Sequence, residues 1–462
     1  VERSGNEMTL WNYVKEHMLE NFDQQICEDG ASLSYEETVI WAESFAQRLH
    51  GVNCCAILCS SEMAAAMSLL ACFAAEVTAV PLSMRYGEAH CNKILDRIRP
   101  DAIIMDAGGE IAVYRLKDGQ YIPPDEHPAL IMCTSGTTGT PKGAMLSERN
   151  IVTNVSDIAD YFLLDKSDTI LIARPLYHCA VLTGEFLTAL VRGANIRFYS
   201  GQFNPAKMLT LIKEHRITAF CGTPTLLSVM ARFNRSDATE TLRHICISGE
   251  CMGSDAGTKI RLAFPACSIY HVYGLTEACP RVSYLPPQYF SIYPDCVGIP
   301  LKSVSVKILN DRGIPCRKSE EGILYVKGDS IMLGYYREPE KTRNILKDGW
   351  LCTGDIAVTN SAGFLKILGR RDDLIIKSGM NIYPAEVEGV LKQDSRVKEV
   401  LVYGFHTPFG TQIGMKLVGN FSSTKEVRQL CMSVLPSFQV PAVIELVDSL
   451  PKNGSGKTIR RA

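Results

Sequence analysis

Helix-like and strand-like stretches alternate along residues 36–330 of the chain. The strand-like runs are short and rich in β-branched residues, as in ILIARPL (170–176), ITAFCGT (217–223) and HICISGE (244–250), and turn or helix-capping residues follow each of them. Such alternation is typical of α/β layers whose strands are mostly parallel. The most apolar window, AAAMSLLACFAA (64–75), is too short to cross a bilayer and predicts a core helix.

The pattern changes after about residue 320. Short strand-like runs with glycine turns (GILYVKGD, GWLCTGD, GFLKILGR) lead to the charged run at 370–373, and then come the amphipathic segment AEVEGVLKQD and the strand-like VKEVLVYGF. We place a domain boundary near Asp372. The sequence therefore predicts a large N-terminal domain of layered α/β subdomains over 1–371 and a small mobile α+β domain over 372–462.

Composition and charge narrow the function classes. The chain has 462 residues, 46% of them hydrophobic, and 48 Lys and Arg against 50 Asp and Glu give a net charge of −2. The hydrophobic fraction excludes a disordered chain. The near-zero net charge disfavours nucleic acid or an anionic membrane as the main partner. The 17 cysteines form no C-x-x-C pair, and the nine histidines show no metal-ligand spacing. No signal sequence precedes the first helix-like stretch, so we expect a reduced, cytoplasmic location, and we expect no transition-metal site.

The segment TSGTTGTPKG (134–143) is rich in glycine and hydroxyl side chains. Glycine lets backbone N–H groups converge on phosphate oxygens, and serine and threonine add further donors, which favours a phosphate-binding loop. It is not a Walker loop, because Pro141 stands where that motif requires glycine. A polar surface turn is the alternative that this segment alone leaves open.

Four further stretches follow in order: VYGLTEA (272–278), GWLCTGD (349–355), GRRDDLIIKSGMNIYPAEVE (369–388) and LPKNGSGKTIRR (450–461). With the glycine-rich segment, they make the chain resemble the adenylate-forming superfamily over nearly its whole length. That superfamily comprises acyl-CoA synthetases, free-standing aryl and fatty acid adenylating enzymes, and the adenylation domains of nonribosomal peptide synthetases.

The resemblance implies an ATP site. It assigns the nucleotide to Thr134, Ser135, Gly136, Thr137, Thr138, Gly139, Lys142, Gly249, Glu250, Tyr273, Gly274, Thr276, Asp355 and Arg370. Within this set, Tyr273 stacks on adenine, Asp355 and Arg370 contact the ribose, and the β and γ phosphates are held by Thr134, Ser135, Gly136, Thr137, Thr138 and Lys142. Glu277 is implied to bind Mg²⁺, a hard cation that prefers oxygen ligands. Read without the resemblance, Glu277 is a solvated loop acid, Asp355 caps a turn and Tyr273 packs in the core.

The resemblance also implies two orientations of the C-terminal domain. Lys457 would bridge the acid's carboxylate and the α-phosphate during adenylation, and Thr134, His178 and Glu277 complete the implied catalytic set. Asp372 matches the hinge. The tunnel for the acceptor thiol would be formed by Lys377, Ser378, Gly379 and Met380. Alone, Lys457 would be a solvated terminal charge and Gly379 a strand-turn glycine.

The acid pocket is implied by alignment with peptide-synthetase domains, which carry an aspartate for the substrate's α-ammonium where this chain has Ala180. The implied lining is His178, Cys179, Ala180, Val181, Gly184, Cys221, Thr223, Cys246, Ser248, Val272, Pro280 and Arg281. This set is mostly small and apolar and offers an ammonium no carboxylate at the neighbouring positions, so we expect an aryl or aliphatic carboxylic acid. His178 either gates the pocket, bonds a ring substituent, or is a satisfied core histidine.

Together these features predict a ligase that uses ATP and Mg²⁺ to convert a non-amino carboxylic acid, aryl or medium-chain, to acyl-AMP. The acyl group would then pass to the thiol of CoA or of phosphopantetheine on a carrier protein, which would be a separate chain. The alternatives are a binding module that senses an acid or nucleotide without turnover, an amino acid adenylating enzyme and, more remotely, a luciferase-like oxygenase.

Overall fold

Two large β-sheets with helices packed against them make up most of the computed structural model, which describes residues 9–117, 119–135, 141–234, 239–377, 380–407 and 410–452. The helices are α1 (Leu10–Glu20), α2 (Tyr35–Ala46), α3 (Glu62–Ala74), α4 (Glu88–Ile98), α5 (Glu148–Tyr161), α6 (Cys179–Val181), α7 (Thr188–Arg192), α8 (Pro205–Glu214), α9 (Pro224–Phe233), α10 (Ser254–Ala263), α11 (Pro339–Ile345), α12 (Pro384–Leu391) and α13 (Thr424–Val434). A π-helical segment, Leu182–Leu187, joins α6 to α7.

The strands of the first half are β1 (Gln25–Glu28), β2 (Ala31–Ser34), β3 (Cys54–Ile57), β4 (Thr78–Pro81), β5 (Ala102–Ala107), β6 (Glu110–Arg115), β7 (Leu130–Ser135), β8 (Pro141–Leu146), β9 (Thr169–Ile172), β10 (Asn195–Phe198), β11 (Ala219–Gly222), β12 (His244–Ile247) and β13 (Ser268–Gly274). Those of the second half are β14 (Arg281–Leu285), β15 (Ile299–Pro300), β16 (Val304–Leu309), β17 (Gly322–Gly328), β18 (Gly334–Tyr335), β19 (Leu346–Lys347), β20 (Trp350–Thr359), β21 (Leu365–Arg370), β22 (Ile375–Lys377), β23 (Met380–Ile382), β24 (Val397–Thr407), β25 (Gly410–Gly419) and β26 (Val443–Leu446).

The described strands form two sheets of mixed direction and three smaller ones. One large sheet has the order β15-β14-β13-β12-β11-β9-β10-β1-β2, and its central strands β13 to β1 run parallel. The other has the order β18-β8-β7-β4-β3-β5-β6, with parallel β7, β4, β3 and β5 and antiparallel edges. Strands β16, β17, β19, β20 and β21 form an antiparallel sheet, β22 pairs with β23, and β24, β25 and β26 form the last sheet.

Local sequence accounts for several helix starts. The Ser34 and Ser147 side chains each accept a backbone N–H three residues on and receive the return bond of a capping box, so α2 and α5 begin there. Ser61 caps α3 in the same position without the return bond. Proline occupies the first helical position of α9, where the missing N–H costs nothing.

The expected α/β class with a large N-terminal and a smaller C-terminal part is confirmed. The apolar window at 64–75 forms most of α3 and its C-cap, the first β-branched run overlaps β9, and the other two contain β11 and β12. A separate apolar cluster begins at Ile375 and is built from α12, α13 and β22 to β25. The boundary at Asp372 itself stays a prediction. Among the described residues, no helix combines the length and apolarity needed to cross a bilayer.

Parallel strand order concentrates loop residues at one edge of the first sheet. Strands β11, β12 and β13 are neighbours and point the same way, so Thr223, Ser248 and Gly274 lie together at their carboxyl ends. In open α/β sheets this edge is where ligands bind. The predicted nucleotide and acid residues that follow these three strands therefore share one region.

Candidate functional site

The glycine-rich segment lies in the hairpin formed by β7 and β8. Thr134 pairs with Lys142 and Ser135 with Pro141 in the antiparallel register, so the strands carry the ends of the loop side by side. Gly136, Thr137, Thr138 and Gly139 lie outside the described residues, as do the side chains of Thr134 and Ser135. The phosphate-binding role of this loop stays a prediction.

Glu277 is held beside this hairpin by contacts from another part of the chain. The Tyr335 hydroxyl donates to Glu277 Oε1 at 2.6 Å, and Met332 N–H donates to the Glu277 carbonyl at 3.0 Å. Tyr335 lies on β18, which pairs with β8, and Lys142 Nζ is 5.2 Å from its ring centroid. Burial, reinforced by Glu277, raises the pKa of Tyr335, so its hydroxyl remains a donor. The oriented carboxylate suits Mg²⁺ chemically.

The turn that carries Thr276 and Glu277 depends on a glycine. A Cβ added at Gly274 would lie 1.9 Å from the Pro280 carbonyl oxygen, a distance no side chain tolerates. The Leu275 N–H donates to the same oxygen at 2.8 Å and closes the turn. Glycine at 274 therefore permits the close return that presents the Glu277 carboxylate.

Asp355 is the centre of a second polar cluster, which joins the antiparallel sheet to β13. Strand register places Asp355 opposite Arg370, whose Nε lies 3.0 Å from Asp355 Oδ1. The Tyr273 hydroxyl donates to Asp355 Oδ2 at 2.5 Å, and Arg370 also donates to the Thr353 carbonyl at 2.7 Å. Burial disfavours the charge of Arg370, but attraction to Asp355 raises its pKa above the ordinary value. Asp355 therefore binds Tyr273 through one carboxylate oxygen and Arg370 through the other, and its ribose-binding role stays a prediction.

Two residues of the predicted nucleotide site, Gly249 and Glu250, follow the end of β12. Gly249 has φ of +94°, a backbone conformation that favours glycine. The Glu250 carboxylate accepts hydrogen bonds from Thr225 N–H at 3.2 Å and from its hydroxyl at 2.6 Å. Glu250 is thereby tied to the first turn of α9, whose N-cap is Thr223.

The predicted acid-pocket residues converge from several elements. Cys221 and Cys246 are register partners on β11 and β12, and Arg281 Nη2 lies 3.8 Å from Cys246 Sγ. A Cβ at Gly184, in the π-helical segment, would lie 2.9 Å from the same Arg281 nitrogen. The remaining lining residues follow or flank these contacts: Cys179, Ala180 and Val181 in α6, Thr223, Ser248, Val272 in β13, and Pro280.

His178 immediately precedes α6 and is electrically neutral. Burial lowers its pKa to about 4, and the positive charges of Arg174 and Arg85 add to that shift. A neutral imidazole can donate one hydrogen bond and accept another. Its gating or substrate-binding role stays a prediction.

Sequence reasoning missed a buried ion pair beneath this pocket. Arg174 follows β9 and donates to Glu185 Oε1, and the Glu185 side chain is fully buried. Burial raises the pKa of Glu185, while Arg174 opposes that change. The strongest available signal was a charged Glu185 inside an otherwise apolar run, VLTGEFLTALV.

The predicted hinge and thiol tunnel lie where the C-terminal part begins. Asp372 belongs to a single helical turn, Arg371–Asp373, between β21 and β22. Lys377 Nζ donates to the Phe438 carbonyl at 3.2 Å, and Lys377 pairs with Met380 across the β22–β23 hairpin. Ser378, Gly379 and Lys457 lie outside the described residues. The hinge, tunnel and lysine roles stay predictions.

Known proteins match the chain along most of its length. Residues 15–336 match the family described as AMP-binding enzyme, and residues 386–457 match its C-terminal domain. A long-chain-fatty-acid–CoA ligase of Haemophilus influenzae is 33% identical over 78% of this chain and 66% of its own length. A feruloyl-CoA synthase of Amycolatopsis is 30% identical over 85% of this chain and 84% of its own length.

Solved structures show the same architecture. The o-succinylbenzoate CoA synthetase of Bacillus subtilis, in complex with its acyl-adenylate intermediate, has a TM-score of 0.86 at 26% identity and covers 97% of both chains. Another structure of that enzyme contains ATP and a magnesium ion. ATP-bound MatB of Rhodopseudomonas palustris has a TM-score of 0.86 at 25% identity over 98% of both chains. The resemblance inferred from the sequence is confirmed, and the chain belongs to the AMP-binding enzyme family of the adenylate-forming superfamily.

Proposed function

We propose that this chain activates a non-amino carboxylic acid, aryl or medium-chain, as its acyl-adenylate and then transfers the acyl group to a thiol. One arrangement carries the proposal. The Glu277–Tyr335 and Asp355–Arg370–Tyr273 clusters lie with the convergent acid-pocket residues around the carboxyl ends of β11 to β13. This is one polar site for a nucleotide beside one largely apolar site for an acid.

In the first half-reaction, a carboxylate oxygen of the acid attacks the α-phosphorus of ATP, and the bond from that phosphorus to the bridging oxygen breaks. Asp355 and Arg370 would hold the ribose and Tyr273 the adenine, while the loop at 134–142 holds the departing phosphates. Glu277 would hold Mg²⁺, which offsets the charge of the leaving pyrophosphate. Lys457 would place a positive charge between the two reacting groups.

In the second half-reaction, the thiol sulfur attacks the acyl carbon, and AMP leaves with the oxygen that joined the two parts. Coenzyme A is the acceptor that the named relatives favour, since they are CoA ligases or synthetases. Rotation about Asp372 would withdraw Lys457 and bring the Lys377–Met380 hairpin to the thiol. Phosphopantetheine on a separate carrier protein is the alternative acceptor.

The acid pocket supports the preference against α-amino acids. Ala180 supplies no charge, and the nearby buried carboxylate of Glu185 is already paired with Arg174. An α-ammonium would lose its hydration without gaining an unshared counter-ion, which costs several kcal/mol. The small side chains of Cys221, Cys246 and Ser248 leave room for a ring or a chain.

Acid-dependent exchange of labelled pyrophosphate into ATP tests the proposal. The panel contains benzoates, fatty acids and amino acids, and Glu277→Gln protein serves as the control for contaminating activity. We expect a benzoate-like or medium-chain acid to exceed the α-amino acid of equal side-chain size by about a hundredfold in kcat/KM. An α-amino acid as best substrate would overturn the acid assignment. Exchange with none of the acids would favour a binding module without turnover.

A further inference from the structure

Arg281, one of the predicted acid-pocket residues, has a buried guanidinium group without a carboxylate partner among the described residues. Arg281 is only 2% exposed, and its Nε has no hydrogen-bond partner among the described residues. Its Nη2 lies 3.8 Å from the sulfur of Cys246, and the buried Tyr161 hydroxyl is a second neighbour of the guanidinium, but a thiol is a weak acceptor and neither group is a carboxylate. The Asn154 side chain fixes the backbone of Arg281. Its Oδ1 accepts from the Arg281 N–H at 3.1 Å, and its Nδ2 donates to the Arg281 carbonyl at 2.9 Å. This side chain is therefore positioned but not satisfied.

The charges around Arg281 do not balance. Arg174 and Glu185 form an ion pair, and the Glu185 Oε2 atom and the Arg174 Nε atom lack partners as well. His178 contributes no charge near neutral pH, because burial lowers its pKa to about 4. Counting Arg174, Arg281 and Glu185 leaves one excess positive charge in a buried region of the described structure. Buried charges are ordinarily paired, since burial without a counter-charge is strongly unfavourable.

Gly184 gives this arrangement its shape. The nitrogens and the central carbon of the Arg281 guanidinium occupy the space that a side chain at 184 would need, with the nearest nitrogen 2.9 Å from the Cβ position. A residue with a side chain at 184 would push the guanidinium away from Cys246. The pair of Gly184 and Arg281 thus sets a cation beside Cys246, another of the predicted acid-pocket residues.

A second unsatisfied group, the Ser248 hydroxyl, stands next in sequence to the predicted nucleotide residues. Ser248 Oγ is buried and has no partner among the described residues. Ser248 directly follows the end of β12, two residues after Cys246. Gly249 and Glu250 of the predicted nucleotide site come next. Two of the predicted acid-pocket residues, Ser248 and Arg281, therefore carry buried polar atoms without partners among the described residues.

We infer that the acid is dianionic: one carboxylate reacts with ATP, and a second anionic group, in the simplest case another carboxylate, binds Arg281. The inference rests on the proposed function and narrows its substrate class. The second carboxylate would supply the acceptor that Arg281 Nε lacks and would neutralise the excess charge. The apolar walls formed by Cys221, Val272 and Cys246 would enclose the part between the two carboxylates.

Pyrophosphate exchange with matched acids tests this inference on the unmodified protein. Each aliphatic or aromatic dicarboxylate is compared with the monocarboxylate of equal length and with its monoamide, which keeps the shape and the acceptor but loses the charge. We expect the best dicarboxylate to exceed both partners at least about tenfold in kcat/KM, the scale of one charge-assisted hydrogen bond. A monocarboxylate that equals or exceeds its dicarboxylate overturns the inference and leaves the proposed function standing. A monoamide that equals the dicarboxylate overturns the charge requirement.

The Arg281→Met variant tests whether Arg281 itself causes the preference for a dicarboxylate. We expect the dicarboxylate to monocarboxylate ratio to fall to about one in this variant, a loss of about tenfold. Arg261→Met is the matched control, because Arg261 is a partly buried arginine on α10 that donates to the Cys267 and Phe264 carbonyls. It should keep the wild-type ratio. A ratio that survives Arg281→Met overturns the inference. If Arg281→Met does not fold, the comparison on the unmodified protein decides. Exchange with no acid at all defeats the proposed function itself.

Discussion

Removing the hydroxyl of Tyr335 deletes one contact of the predicted magnesium site and leaves its other residues unchanged. Tyr335→Phe keeps the ring, which is only 6% exposed, and deletes the 2.6 Å hydrogen bond to Glu277 Oε1. A hydrogen bond to a charged group contributes about 1.5–3 kcal/mol, or roughly 10- to 150-fold in an equilibrium or rate constant. Because Glu277 would be less well oriented, we expect kcat/KM for Mg-ATP to fall about tenfold or more. We also expect the Mg²⁺ concentration that gives half the maximal exchange rate to rise.

Tyr336→Phe is the matched control. Tyr336 is the next residue and is 1% exposed, but its hydroxyl donates to the Ile122 carbonyl at 3.2 Å and accepts from the Ile122 N–H at 3.1 Å. Its loss should cost about 1 kcal/mol of unfolding free energy and leave the Mg²⁺ dependence as in the wild type. The assay is pyrophosphate exchange over a matrix of ATP and Mg²⁺ concentrations. Equal Mg²⁺ dependence in Tyr335→Phe and Tyr336→Phe would refute the positioning role of Tyr335.

Four further predictions concern other parts of the chain. Lys457→Ala should slow adenylate formation about a hundredfold or more and affect transfer from supplied acyl-adenylate much less; equal losses in single-turnover assays of both halves would contradict the two orientations. Gly379→Trp should spare pyrophosphate exchange and depress thioester formation, and normal thioester formation would remove this loop from the tunnel. Ala180→Asp should raise KM for the native acid through carboxylate repulsion, and an unchanged KM would discredit the alignment at that position. Burial lowers the pKa of His271 from 6.5 to about 4. Between these two pH values the unfolded chain binds more protons than the folded one, so the unfolding free energy should fall as pH falls from about 6.5 to about 4. His271→Asn should reduce this slope by about 1.4 kcal/mol per pH unit at most in denaturant titrations, and an unchanged slope would contradict a neutral buried imidazole.

The fold and the positions of most candidate residues could be predicted from the sequence because local patterns determine them. The composition and spacing of the apolar window in α3 and of the β-branched strands indicate directly that these segments are buried. Asp355 and Arg370 belong to motifs that the resemblance identified, and the structure adds that strand register places them opposite each other. The roles of the glycine-rich loop, Gly379 and Lys457 stay predictions, because these residues lie outside the described part of the chain.

Other contacts could not be predicted because sheet topology creates them. Tyr335 reaches Glu277 only because β18 pairs with β8, far away in sequence. The ion pair of Arg174 and Glu185 likewise joins β9 to the π-helical segment. The sequence identified Arg281 as a polar exception in the pocket, but its lack of a partner follows from the space that Gly184 leaves.

The most direct test of the central claim follows the oxygen atoms of the acid. The chain is supplied with ATP, CoA and the best acid of the exchange panel, labelled with ¹⁸O in the reacting carboxylate, and the nucleotide products are analysed by mass spectrometry. An acyl-adenylate requires one labelled oxygen to stay on the phosphorus when the thiol takes the acyl group, so the account predicts AMP carrying a single ¹⁸O. Label in inorganic phosphate together with ADP, or unlabelled AMP accompanying thioester formation, would contradict it.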